Sequence, residues 1–154
     1  MSYSGITSAL AAIVSAVTGT ANVYQYRRYN SGSEDQMKTL FEDSSIINTW
    51  QISRVAATSE FDGSGQCDVQ RTGEFAIHGY YSIDDSNASE MTFQALVDSV
   101  MARLDLFSNR KLLGAIERFA QPAQLTTIES VMYGSVGCWY CEIRVYPVEL
   151  IATV

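Results

Sequence analysis

The chain has 154 residues, 47% of them hydrophobic and 18% charged, with 17 acidic against 10 basic side chains and a formal charge of −7. That length supports one hydrophobic core and falls short of two ordinary domains, while two prolines, ten glycines and no repeats exclude a solenoid or a wholly disordered chain. Its few Lys and Arg are too scattered to bind nucleic-acid phosphates by charge, and three cysteines do not make the framework of a small disulfide-stapled domain, so a reducing compartment is the simpler reading.

From the N-terminus, Ile6, Leu10, Ile13, Val14 and Val17 recur at helical spacing, with Ser4 available as cap and Gly19 as stop. Ala9 to Val17 resembles a short signal core, but no basic residue precedes Arg27 and the run is far short of the ~20 apolar residues that span a membrane. An amphipathic first helix is expected instead. Ala21 to Tyr26 reads as a short strand, Arg27 to Gly32 as a basic turn, and Ser33 followed by Glu34, Asp35 and Gln36 as the start of a brief helix to about Phe41.

From Ile46 the period changes to two. Ile46, Trp50, Ile52 and Ala56 share one face against Thr49, Gln51 and Ser53, and Phe75, Ile77, Tyr81 and Ile83 alternate with Ala76, His78, Tyr80 and Ser82. These two strands are expected to pair antiparallel. Between them Thr58 to Gly73 is polar and holds Asp62-Gly63 and Gly65, which suits an exposed loop or extended arm.

The clearest signal is Met91 to Phe107, where Phe93, Leu96, Val97, Val100, Met101, Leu104 and Phe107 form one helical stripe. Asn87 or Ser89 is the expected cap, and Asn87 with Glu90 has capping-box spacing. Asn109 to Ala120 reads as a loop with a short helix. Leu125 to Tyr133 and Cys138 to Tyr146 read as a second hairpin, with Trp139, Cys141, Ile143 and Val145 on one face. Pro147 then opens an apolar tail to Val154, expected to be free to dock on a neighbour. The pattern predicts one α+β domain over 1–154, a mostly antiparallel four- or five-stranded sheet with two main helices on one face, an arm at 58–73 and a tail at 147–154.

No constellation in the sequence builds a convincing active site. His78 is the only histidine, and no neighbouring serine or cysteine in sequence marks itself as its nucleophile, so a surface or interface histidine is expected. Cys138 and Cys141 match C-x-x-C, and Cys67 with His78 would complete a zinc set, yet residues i and i+3 of a strand point to opposite faces. Asp62, Ser64, Gln66 and Asp68 alternate like calcium ligands, but the sixth and twelfth positions are Cys67 and Gly73. Gly63-Ser-Gly65 has no following lysine and is no phosphate loop. No catalytic residue, cofactor or metal is expected.

The order of elements, with Ile47-Asn-Thr-Trp50-Gln-Ile-Ser-Arg54, His78-Gly-Tyr-Tyr81, the Asp84 to Glu90 turn and the amphipathic helix after it, resembles the tail-terminator and tail-completion proteins of long-tailed bacteriophages. The likeness is one of layout over most of the chain and has no diagnostic motif. It implies a non-enzymatic virion subunit, assembled in the host cytoplasm, that forms a ring, typically of six. The ring would cap the tail tube and join it to the head connector or neck protein, with DNA passing through the lumen without specific binding and no membrane involved. Candidate interface residues are the basic Arg27, Arg28, Arg110 and Lys111, the arm residues Phe61, Asp62 and Arg71, and the tail residues Val148, Leu150 and Ile151. A small intracellular α+β ligand-binding domain, with aromatic residues lining its pocket, is the alternative.

Overall fold

A computed structural model describes residues 3–28, 42–43, 46–61, 68–109, 111, 114, 116–133 and 136–152. In chain order the elements are α1 (Tyr3–Ser15), β1 (Val23–Tyr24), β2 (Glu42–Asp43), β3 (Ile46–Phe61), β4 (Asp68–Ser82), α2 (Ser89–Asp105), β5 (Arg118–Phe119), β6 (Gln124–Tyr133), β7 (Val136–Val145) and β8 (Pro147–Ala152). The brief helix expected before Phe41 lies outside the described residues.

The helices form where apolar residues repeat every three or four positions, and both stripes meet one face of the sheet. Leu10, Ile13 and Val14 of α1 and Phe93, Val97, Val100 and Leu104 of α2 share a core with Trp50, Ile52, Phe75, Ile77, Cys141, Ile143 and Val145. Asn48 fixes the turn out of α1: its amide donates to the Gly19 carbonyl at 2.7 Å, and its Oδ1 accepts from the Trp50 indole at 3.1 Å. Gly19 itself sits at φ +100, a conformation that glycine adopts without a Cβ clash.

The start of α2 differs from the expected capping box. Asp84 carries the capping role one turn earlier, its carboxylate accepting from the Ser86 backbone at 3.1 Å. Ser89 is buried and takes the Asp84 N–H at 2.7 Å and the Trp139 indole N–H at 3.1 Å on its hydroxyl, tying the helix start to β7. The far end also differs. The helix stops at Asp105, and the buried Asn109 side chain donates to the Arg103 carbonyl at 2.8 Å, so Phe107 turns out to 84% exposure instead of completing the stripe.

The sheet is mixed and larger than expected. Its main path is β1-β3-β4-β7-β6, with β2, β5 and β8 attached off that path. The pairs β3–β4 and β6–β7 are antiparallel as the alternation requires, but β1 runs parallel to β3, with Val23 opposite Trp50. The tail after Pro147 is not free, because it pairs with the chain's own β4. Phe75 faces Val145 and Thr72 faces Val148 in one unbroken register, so β8 continues β7 past the proline. Proline only removes one donor, which a strand tolerates where that N–H is not needed.

Candidate functional site

Two surfaces outside the helix-covered core hold nearly all the described candidate residues. The first is a three-stranded arm made by the outer half of β3, the first half of β4 and β8. Thr58 to Gly73 is therefore no loop at its base: strand pairing runs on to Phe61 opposite Val69, and Val69 faces Ile151 on its other side. Phe61, Val69 and Ile151 make one cross-strand row, and Ser59, Arg71 and Glu149 make the next row on the same face. Arg71 is half-buried and its Nε donates to Ser59 at 3.2 Å. Phe61 is 79% exposed and Leu150 47%, whereas Val148 is buried. At the arm's base, Arg54 lies over the Tyr3 ring, and Tyr3 stacks on Phe75 beside a cavity of about 130 Å³ that Arg71 and Glu149 also line.

The second surface is the sheet face turned away from the helices. Strand alternation puts Gln51, His78 and Glu142 in one row and Thr49, Tyr80 and Tyr140 in the next. Tyr80 and Tyr133 stack with ring centres 4.1 Å apart. Arg27 donates to the Tyr80 hydroxyl at 3.0 Å, Gln51 donates to the Tyr133 hydroxyl at 2.9 Å, and Tyr133 donates to the Arg28 carbonyl at 2.9 Å. Arg28 also lies over the Tyr24 ring. The two basic residues are thus turned onto the chain's own tyrosines.

His78 is buried in this face, which corrects the expectation of a surface or interface histidine. Its Nε2 lies 3.0 Å from Ser53 Oγ and its Nδ1 2.8 Å from the Tyr140 hydroxyl. Burial first, then the Arg27 charge, lowers its pKa to about 4, so it is neutral at pH 7. The order serine, histidine, tyrosine has the outline of a nucleophile, base and orienting group, but the third member is a phenol, which burial and the nearby Glu142 hold in its protonated form. A neutral phenol gives an imidazolium far less support than a carboxylate would. The row works as a hydrogen-bonded strut across three strands. Beside it Arg144 pairs with Glu142 at 3.0 Å and with Glu74.

Cys138 and Cys141 are buried and lie in separate clusters, Cys141 in the helix-side core and Cys138 with Ile47 and Tyr80. Burial raises both thiols to about 12, so neither carries a thiolate at neutral pH. Among the described residues no group of three or more His, Cys, Asp or Glu could hold a metal ion, and no helix is long and apolar enough to cross a membrane. Cys67 lies outside the described residues, as do Asp62 and Arg110. Lys111 is exposed in the turn after α2, far in sequence from the arm. The structure brings Phe61, Arg71, Val148, Leu150 and Ile151 together on the arm, and Arg27 and Arg28 together on the tyrosine face.

Sequence reasoning placed His78 and Tyr80 on the face away from the helices but missed their partners. The same alternation sets Ser53 on that face and, extended to Tyr140, finds the second partner of His78. Tyr133 and the arginines come from distant segments and left no local signal. No family model matches this chain, and no curated protein matches it.

Proposed function

We propose that this chain is a structural subunit of a long-tailed bacteriophage virion, forming a ring of sixfold symmetry at the head-tail junction. The ring caps the tail tube, joins it to the head connector or neck protein, and lets DNA pass through its lumen. The observation that carries this reading is the arm. It reaches past the helix-covered core with Phe61 79% exposed beside Val69 and Ile151 on one face and Leu150 exposed on the other, and a large aromatic ring held out in this way is suited to burial against a neighbour. The α+β layout of two helices on a mixed sheet supports it, as does the acidic balance. Six chains of −7 carry about −42, and a negative or neutral bore lets DNA slide where fixed Lys or Arg would hold its phosphates. The reading assigns no catalytic role, cofactor or metal to any residue.

The test is electron microscopy of the purified, assembled protein with a charge map of the channel. A closed ring with an acidic or neutral bore is expected, and a strongly basic bore would overturn the DNA-passage mechanism. A ligand-binding domain is the second reading, favoured by a groove of about 420 Å³ between the end of α2 and the β5 to β6 link, lined by Leu104, Asp105, Arg118, Phe119 and Pro122. A monomer whose melting temperature rises with a small-molecule ligand would favour it.

A further inference from the structure

We propose that neighbouring copies join by edge-to-edge strand pairing, β6 of one copy adding to the outer half of β3 of the next, so that one sheet runs around the ring. The inference rests on the ring reading and names the surface that builds it.

Among the described residues the sheet ends on two strands that are open for much of their length. On one side β6 is bonded only to β7 among the described strands, and most of its ten residues are exposed or half-buried. On the other side β1 and β2 cover β3 only at Ile46, Ile47, Trp50 and Gln51, and every residue from Arg54 to Phe61 is exposed. Monomeric proteins guard such edges with Lys, Pro or strong twist, because unpaired N–H and C=O groups recruit other strands. β6 contains no Lys, Arg, Pro or Gly, and the outer half of β3 has no Lys, Pro or Gly; each edge has one register irregularity, at Arg54/Ala56 on β3 and Leu125/Thr127 on β6, and the strand beyond it, 56–61 and 127–133, carries only Glu60 and Glu129 as charges. The two edges face opposite sides of one sheet, so they fit each other in a head-to-tail contact, which can be repeated around a ring.

Direction and level agree with that partner. Three antiparallel steps, β3 to β4 to β7 to β6, leave β6 running against β3, so copies placed side by side meet antiparallel. The levels differ: Ile128 of β6 aligns through Cys141 and Gly79 with Trp50, whereas the open half of β3 is centred near Ala57. Each copy therefore steps six or seven residues along the strands, roughly 20 Å, while four strands advance it sideways by roughly 19 Å. Pure rotation then requires strands inclined at about 45° to the ring axis, an inclination that closed barrels adopt. β1 ends the covered half where the incoming strand would begin.

Hydrogen exchange, read by segment on the wild-type protein in its assembled and diluted forms, tests the inference. Amides of 54–61 and 124–133 should exchange at least tenfold more slowly in the assembly. Ala57→Pro and Thr58→Pro, made singly, give a second reading: the one whose N–H points away from β4 should drop the particle to monomer with an unchanged far-UV spectrum. A ring whose two edges exchange as fast as in the monomer, or that survives both prolines, overturns the edge pairing and leaves the ring standing. A monomer at every concentration overturns both.

Discussion

Trp50 and Gly79 are cross-strand partners, and the indole occupies the space that a side chain at position 79 would need. A Cβ there would stand 2.6 Å from Trp50 Cζ3 and 2.8 Å from Cys141 Sγ, both on fully buried residues. Trp50 cannot readily retreat, because its indole is bonded to Asn48 and packed against Phe93, and Cys141 is enclosed in the same core. Gly79→Ala should therefore destabilise the fold by about 1–3 kcal/mol, the usual range for overpacking. Urea unfolding measures it, and a loss near zero would show that the sheet can open at this point.

Much of this core was legible in advance because alternation is a local property. Trp50, Phe75, Ile77, Cys141 and Ile143 fell on the helix side as their spacing required, and both hairpins paired as expected. What the sequence concealed was long-range. Nothing near Pro147 says that β4 is long enough to hold both β7 and β8, and the exposed Phe107 continues the helical period although Asn109 has already closed the helix. The arm residues looked like loop because their side chains are polar, while their backbone is committed to strand on both sides of the tip.

The buried histidine makes stability depend on pH. His78 has a folded pKa of about 4, below the value of 6.5 for an unperturbed histidine. The unfolded chain therefore binds a proton that the folded chain rejects between those values. The contribution of neutral His78 is complete above pH 6.5 and is lost as pH falls towards 4. Unfolding free energy should drop by about 2 kcal/mol more between pH 7 and pH 5 in the wild type than in His78→Gln, at 1.36 kcal/mol per pKa unit. Equal slopes would show that His78 takes up a proton as readily in the folded as in the unfolded chain, so that burial does not lower its pKa.

The two buried thiols should be inert. Cys138 and Cys141 are expected to react with a thiol reagent only after denaturant unfolds the chain, since both are buried and held as thiols. Rapid labelling of either in the native protein, or stoichiometric zinc lost with folding when both become serine, would contradict their assignment as packing residues.

The arm divides into a part needed for folding and a part that is not. Replacing all of 58–73 with an Asn-Gly turn removes the strand on which β8 lies, so Val148 loses its burial and the variant should be clearly destabilised. Replacing only 62–67 leaves every described β3–β4 pair in place, so stability should change by less than about 1 kcal/mol. Thermal melts of the two variants decide, and equal stabilities would mean that β8 does not depend on the arm.

The most direct measurement is the mass of the purified protein in solution at micromolar concentration. A ring of six 17.0 kDa chains should sediment as a single species of about 102 kDa, and Phe61→Ser should lower its stability towards dissociation without lowering the melting temperature of the subunit. A single species at 17.0 kDa that persists on concentration would contradict the ring.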